Sequence, residues 1–397
     1  MKNFKQLASV LLALLVPNFA YSATNKAKDA EPVTWTENMK QLSSTLSTLM
    51  PALYSDEEFN KLKDKPEFGK AVHRLSELSH SVSKKAMGDS SRLPHDDPSL
   101  KLISDLLKDI TKQAASSFDE GQKEYAQAML KQATSLCFSC HTSNRLGPEF
   151  HADKDPEFFA KLNSQEKADY LVATRNFDKA SNLYSTAAHD VALAKAQNTE
   201  WRRAVRNAIA LAVRVQRSPD KALELVREVK KSKYHVSPSY LEDLKTWEAS
   251  LKDWKSEGTR YASFENEAKN WEYLDWLAQK AQTLQKFPAD RSAEIYFLRL
   301  SAATHEFLAT YPESKKTADA LYYLGLSYDA MRGFAGQWLL QDIYYESCIR
   351  QSPNTPTSKK CFEKYRDSMY LGYTGSRGTD LPLFILFRLQ ELGRLAQ

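Results

Sequence analysis

Apolar residues recur at alternating spacings of three and four along four segments of the first 150 residues. This spacing places one apolar seam on each of four α-helices, the arrangement that antiparallel helical bundles require. Breaks are expected at Pro51, at Leu93-Pro94 and at the F-D-E-G sequence of residues 118–121. The seam residues are Trp35, Met39, Leu42, Leu46, Leu49 and Leu53; Ala71, Leu75, Leu78 and Val82; Leu100, Ile103, Leu107, Ile110 and Ala114; and Ala126, Met129, Ala133, Leu136 and Cys140.

The helical pattern changes character from about residue 160, where small residues alternate with aromatic or aliphatic ones. Two copies of D-K-A-x3-[YV]-x2-[AV] begin at Asp178 and Asp220, 42 residues apart. A later set resembles a tetratricopeptide repeat with about four extra residues between its two helices, and residues 303–312 resemble a degenerate copy. The later set is Leu321, Leu324, Gly325, Tyr328, Tyr345, Cys348 and Pro353.

The fold class expected from both patterns is all-α, with a four-helix bundle over 32–148 followed by tetratricopeptide-like helix pairs over 160–397. Such pairs stack into an α-solenoid, which presents a concave surface to a protein or peptide. The alternative is an irregular helical domain that only buttresses the bundle. Low glycine content, 12 residues in 397, agrees with a helical chain.

The first residues predict an exported protein. Lys2 and Lys5 precede the apolar run of residues 7–16, which is too short for a bilayer span of about 20 residues. Ala20 and Ser22 suit a signal peptidase, so we expect residues 1–22 to be a signal peptide cleaved before Ala23. A buried helix is the alternative. We expect the mature protein to be periplasmic, with no membrane span.

Composition and charge say little about partners. Hydrophobic residues make up 42% and charged residues 26% of the chain, as in soluble globular proteins. The net charge of +5 becomes +3 once Lys2 and Lys5 are removed. This balance gives no reason to expect nucleic acid as a partner. Neither charge nor pattern defines an oligomeric state.

The motif Cys137-Phe138-Ser139-Cys140-His141 carries the candidate chemistry, at the end of the fourth predicted helix. Two thiols at this spacing can form thioethers with the vinyl groups of haem, and the adjacent imidazole can then bind the iron. A zinc site would need two further ligands, and no second CxxC or HxxxH occurs. A thioredoxin-like motif would need a strand–helix context. A structural disulfide or a redox pair remains the alternative.

About 110 residues of predicted helix precede this motif, and that arrangement resembles the class II, or c-prime-like, cytochromes over residues 32–148. The segments MKQLSSTLSTLMP at 39–51 and CFSCHT at 137–142 also resemble a group of largely uncharacterised bacterial exported cytochromes. The resemblance implies one covalent haem c, held by Cys137 and Cys140, with His141 as the proximal ligand. In the class II family the distal group comes from the first helix.

Met39 is the candidate distal iron ligand, because it occupies a seam position of the first helix. The alternative is that Met39 only fills the core, as methionine does well. Met50 lies beside the seam and Met129 lies on the haem-bearing helix, so both are weaker candidates. His73 and His80 share a face that points away from the core. The loop residues His95 and His151 gain no support from spacing, and His189, His235 and His305 receive no role.

Two features of the last fifty residues complete the expectations. Cys348 and Cys361 lie 13 apart on either side of a predicted helical hairpin, so an oxidising compartment favours a disulfide between them. Two separate buried thiols are the alternative. The glycine-rich residues 372–382 are expected to form a turn before a last helix over 383–395. A similar loop in the exported cytochromes implies a docking or haem-covering role.

The favoured function is one-electron transfer through a haem, with the helical repeats docking a redox partner protein. A second hypothesis is a gas- or peroxide-binding protein whose distal site is open. A third is an envelope scaffold in which the haem is structural. No nucleophile–base pair at a recognisable spacing indicates an enzyme, and the electron donor and acceptor have no signature in the sequence.

Overall fold

The chain folds as α-helices, and the all-α expectation is confirmed. The structure, a computed structural model, describes residues 34–85, 98–143, 157–231, 236–257, 266–287, 290–331, 334, 340–376 and 378–397. The helices are α1 Trp35–Tyr54, α2 Asp56–Leu62, α3 Pro66–Lys85, α4 Pro98–Asp119, α5 Lys123–His141, α6 Ser164–Ala173, α7 Phe177–Ala188, α8 Val191–Ala196, α9 Asn198–Ala210, α10 Pro219–Lys231, α11 Pro238–Ser256, α12 Glu267–Leu284, α13 Glu294–Thr310, α14 Thr317–Ala330, α15 Leu340–Gln351, α16 Pro356–Gly372 and α17 Leu383–Leu395. A 3₁₀ turn, Glu157–Lys161, precedes α6, and a π-helical turn, Leu211–Val215, follows α9.

The helices of the first 143 residues pack side by side. Helix α1 lies against α3, α3 against α4, α4 against α5, and α5 against α1. Most seam positions of the sequence are buried here, including Leu49, Leu75 and Ala114. The short helix α2 was not predicted. It packs against α1 and contributes Phe59, whose ring meets that of Phe68 edge-on at 6.0 Å.

The break expected at Pro51 is wrong, because α1 continues through this residue to Tyr54. Proline inside a helix removes one backbone hydrogen bond and costs about 3 kcal/mol. The residues on either side of Pro51 form a continuous buried surface that offsets this cost: Leu49, Met50, Ala52 and Leu53 are each no more than 2% exposed. Packing therefore outweighs the local propensity of this proline.

The helices from α6 onward pack as successive neighbours. Helix α6 lies against α7, α7 against α9, and each helix from α12 to α15 against the next. The two D-K-A motifs fall in α7 and α10, with buried Ala180 and Tyr184 in the first copy and buried Ala222 and Val226 in the second. Equivalent small and large side chains therefore face the core in both copies.

Gly325 explains the close approach of α14 to α15. A Cβ atom at this position would lie 2.3 Å from Cε1 of Tyr345, a distance that non-bonded carbon atoms do not reach. Absence of a side chain at Gly325 thus lets the Tyr345 ring pack directly on the backbone of α14. This contact joins two residues that the sequence placed in one repeat.

The N-terminal and C-terminal helices are in direct contact, and residues 35–397 form one compact unit. Helix α5 packs on α6, and α4 packs on α15. The expected division into domains at 32–148 and 160–397 stays a prediction, as does the expected signal peptide at 1–22, which lies outside the described residues. Among the described residues, no helix combines the length and apolar character needed to cross a membrane.

The C-terminal hairpin follows the expected order of elements. Cys348 in α15 and Cys361 in α16 lie at disulfide distance, with their Cα atoms 6.3 Å apart. The glycine-rich segment forms a two-stranded ribbon in which β1, Thr374–Gly375, pairs antiparallel with β2, Gly378–Thr379. Gly378 has a φ of +100°, which glycine adopts without a steric penalty. The last helix, α17, then covers residues 383–395 as expected.

Candidate functional site

A cavity lies between α1, α3, α4 and α5, and the residues of the CxxCH motif line it. Its empty space is about 680 Å³, counted out to the open mouth, within the roughly 300–1,000 Å³ of cofactor and ligand pockets. Cys137, Cys140 and His141 contribute from the last turn of α5, and Met39 contributes from the first half of α1. The four residues singled out from the sequence therefore share one cavity.

The cavity wall is apolar apart from these residues. Ser104 and Thr134 also line it, but both hydroxyls donate to backbone carbonyls one turn earlier, at 2.6 Å and 2.7 Å respectively. The remaining wall consists of aliphatic side chains, which suit the face of a large flat apolar ligand. They are Leu42, Leu46, Leu75, Val82, Leu100, Ile103, Leu107, Leu130, Ala133 and Leu136.

The imidazole of His141 is held by a backbone group of the C-terminal half. Its Nδ1 lies 3.0 Å from the carbonyl oxygen of Val172, in α6. A carbonyl only accepts hydrogen bonds, so Nδ1 carries the proton and Nε2 carries the lone pair. Histidines that bind metals in proteins commonly donate their other ring nitrogen in this way, which fixes the tautomer and the ring orientation.

Burial sets the protonation state of this histidine and of the nearby thiol. Desolvation, together with the charge of Arg175, lowers the pKa of His141 to about 4, although the bond to Val172 acts in the opposite direction. Desolvation also raises the pKa of the Cys137 thiol to about 12, and the neighbouring Cys140 adds to that rise. Both cysteines keep part of their accessible surface, because they face the cavity. At neutral pH the site thus presents a neutral imidazole and a protonated Cys137 thiol.

Two buried arginines approach the C-terminal end of α5. Nη1 of Arg175 donates to the carbonyl of His141 at 3.4 Å, and Nη1 of Arg214 lies 3.5 Å from Oγ1 of Thr142. Arg175 is 8% exposed and Arg214 is 2% exposed. Positive charge near the last carbonyls of a helix interacts favourably with its dipole. These contacts therefore tie the end of the motif helix to the C-terminal half.

The three candidate methionines have different surroundings. Met39 is half-buried and lines the cavity, as its seam position predicted. Met50 is fully buried in α1 and is not part of the cavity wall, so its expected place beside the seam is wrong. The helix runs straight through Pro51, which rotates Met50 into the core. Met129 is 7% exposed within α5 and belongs to the core.

The other described histidines lie away from the cavity wall. His73 and His80 are exposed on α3 as predicted, and Nε2 of His73 lies 2.9 Å from Asp119. His189 is hydrogen-bonded to Glu228 at 2.6 Å, and His305 is buried against Tyr328. His95, His151 and His235 lie outside the described residues. Across the described part of the chain, no group of three or more His, Cys, Asp or Glu is placed to hold a bare metal ion.

Sequence reasoning missed Val172, Arg175 and Arg214. Val172 acts through its backbone carbonyl, for which a sequence carries no signal. Arg175 could have been noticed, because an arginine stands three residues before the aspartate in both D-K-A motifs, at Arg175 and at Arg217. Arg214 is a single buried charge in an apolar stretch, and its partners come from distant helices.

Comparison with known proteins does not extend this picture. No protein-family model matches the chain, and neither curated proteins nor solved structures provide a significant match.

Proposed function

We propose that this protein is an exported c-type cytochrome that carries one covalently bound haem and transfers single electrons. The observation that supports this most directly is the shared cavity, in which both motif cysteines and Met39 surround an imidazole whose Nδ1 donates to the Val172 carbonyl. Haem c bound there would supply the reversible one-electron chemistry of iron. The packing of α1, α3, α4 and α5 supports a haem-binding bundle of the class II type.

Each residue of the chain has a defined task in this proposal. Cys137 and Cys140 tether the macrocycle through thioether bonds, and the last turn of α5 keeps their sulfurs on the cavity side. His141 offers Nε2 to the iron, since Nδ1 is occupied by Val172. The aliphatic wall keeps water from the macrocycle. Met39 would provide a sulfur ligand from α1 on the distal side.

The C-terminal helices are proposed to dock a redox partner protein as a tetratricopeptide-like solenoid. Successive packing from α12 to α15 and the close contact of Gly325 with Tyr345 support such stacked pairs. Helix α17 adds exposed apolar side chains, with Phe384 and Phe387 each 66% exposed. Exposed apolar patches of a few hundred Å² often mark protein interaction sites.

The decisive test is whether haem remains on the chain after denaturation. We expect protein matured in a periplasm that attaches haem c to retain its absorption after unfolding and acid–acetone extraction. The double variant Cys137→Ser/Cys140→Ser should lose it entirely. The matched control is Cys348→Ser/Cys361→Ser, which removes the other cysteine pair and should keep the haem.

The competing functions predict different outcomes. A wild-type chain that matures without covalent haem, and whose Cys137 and Cys140 form a disulfide, would contradict the proposal. A haem that binds carbon monoxide at once and is five-coordinate when reduced would favour gas binding over electron transfer. Partner binding that survives replacement of His141, with the fold intact, would favour the scaffold.

A further inference from the structure

The turn that follows α6 contacts the proposed iron ligand twice. The Val172 carbonyl accepts the Nδ1 proton of His141 at 3.0 Å, and Nη1 of Arg175 donates to the His141 carbonyl at 3.4 Å. The backbone amide of Arg175 also donates to Val172, at 3.0 Å. Three residues of this turn thus fix both the side chain and the main chain of His141.

Arg175 places a permanent positive charge beside this ligand. A guanidinium stays protonated at every accessible pH, and Arg175 is only 8% exposed, so water screens it weakly. The same charge lowers the pKa of His141, in addition to the larger effect of burial. A field that opposes a positive charge on the imidazole also opposes an added positive charge on a metal bound to that imidazole.

The backbone of Arg175 is unusual for an arginine. Its φ is +59°, in the left-handed region that costs a residue with a Cβ about 1–2 kcal/mol and that favours glycine or asparagine. Arg217 has a φ of +51° at the equivalent place before the second D-K-A motif, so this turn is a property of the repeat. The side chains differ, because Arg217 forms an ion pair with Glu306 at 2.6 Å. Only the first copy directs its arginine to the ligand.

We propose that Arg175 is a positioning residue whose charge sets the reduction potential of the iron bound by His141, favouring the reduced state. This inference rests on the proposed haem function. It makes the C-terminal half part of the redox site, since a residue beyond the CxxCH helix then tunes the metal. Removing the charge should shift the potential downward.

The experiment measures midpoint potentials of the haem-loaded protein by spectroelectrochemistry. For Arg175→Gln we expect the equilibrium constant for reduction to fall about tenfold, as for one unit charge near the metal at an effective dielectric of about 20, which corresponds to ~59 mV. Arg175→Lys keeps the charge and should stay near the wild-type potential. Arg217→Gln is the matched control, because it changes the equivalent turn far from His141, and its potential should not move.

Absorption spectra and thermal unfolding accompany each potential, so that ligand loss and misfolding are recognised. Arg175→Gln with a native spectrum and an unchanged potential would overturn the inference. If Arg175→Gln disturbs the spectrum, Arg175→Lys decides: a potential as low as that of the Gln variant overturns the role of charge. A wild-type chain without covalent haem would instead remove the proposed function itself, an outcome distinct from a haem-loaded variant at the wild-type potential.

Discussion

Nη2 of Arg214 lies 2.9 Å from the hydroxyl oxygen of Tyr328, so a charged side chain from the π-helical turn is bonded inside the core to helix α14. The same hydroxyl is hydrogen-bonded to Nε2 of His305 at 2.9 Å. Each of the three residues is no more than 2% exposed. Through Thr142, this buried polar group reaches the end of the motif helix.

Tyr328→Phe should destabilise the protein by about 2–3 kcal/mol. The change removes one hydroxyl and leaves the buried guanidinium of Arg214 without that acceptor, for which the desolvation penalty is large. The measurement is the free energy of unfolding from urea titration. Tyr370→Phe is the control, because Tyr370 is 45% exposed and its change should cost less than about 0.5 kcal/mol. Equal effects of the two variants would contradict a structural role for the Tyr328 hydroxyl.

Gly325→Ala should destabilise the protein by about 1–3 kcal/mol, although alanine is the better helix former. The new Cβ would overlap the Tyr345 ring, and helix α14 must move away from α15 to accommodate it. Gly372→Ala provides the opposite case within α16, since no atom lies within 4 Å of a Cβ placed there. We expect this control to be neutral or slightly stabilising. Thermal unfolding of both variants measures the difference, and a loss of stability of the same size in both would refute the close contact.

The sequence predicted those features that follow from local spacing. Seam spacing placed Met39 and Cys140 on inward faces, and the structure brings both to one cavity. Local signals failed where long-range packing decides: α1 passes through Pro51 because a buried run surrounds it. The Val172 carbonyl meets His141 across 31 residues, and Arg214 meets Tyr328 across 114. Periodicity describes one helix at a time and carries no information about such partners.

Glu294 should make stability depend on pH. Burial raises the pKa of this carboxyl to about 7, against a weaker opposing effect of the Trp247 indole, which donates to it at 2.8 Å. Arg291 and Arg206 also lower this pKa, and Asp243 raises it. The folded state therefore binds a proton that the unfolded state releases near pH 4.5. Stability from this proton is present below pH 4.5 and is lost as the pH rises toward 7.

The wild-type protein should consequently lose about 2 kcal/mol relative to Glu294→Gln between pH 5 and pH 8. Urea unfolding of both proteins across this range measures the difference. Glu313→Gln changes an exposed glutamate and should follow the wild-type curve. Parallel curves for the wild type and Glu294→Gln would show that Glu294 does not titrate in this window.

Met39→Leu tests the distal side of the proposed iron site. This exchange nearly conserves volume, so the cavity wall should survive at a cost below about 1.5 kcal/mol. If the Met39 sulfur binds iron, the reduced spectrum changes from six-coordinate to five-coordinate, and carbon monoxide binds readily only in the variant. Met50→Leu is the control, because Met50 is fully buried outside the cavity wall and its spectrum should remain that of the wild type. Identical spectra and carbon monoxide binding in wild type and Met39→Leu would mean that Met39 only packs the cavity and that the distal position is open.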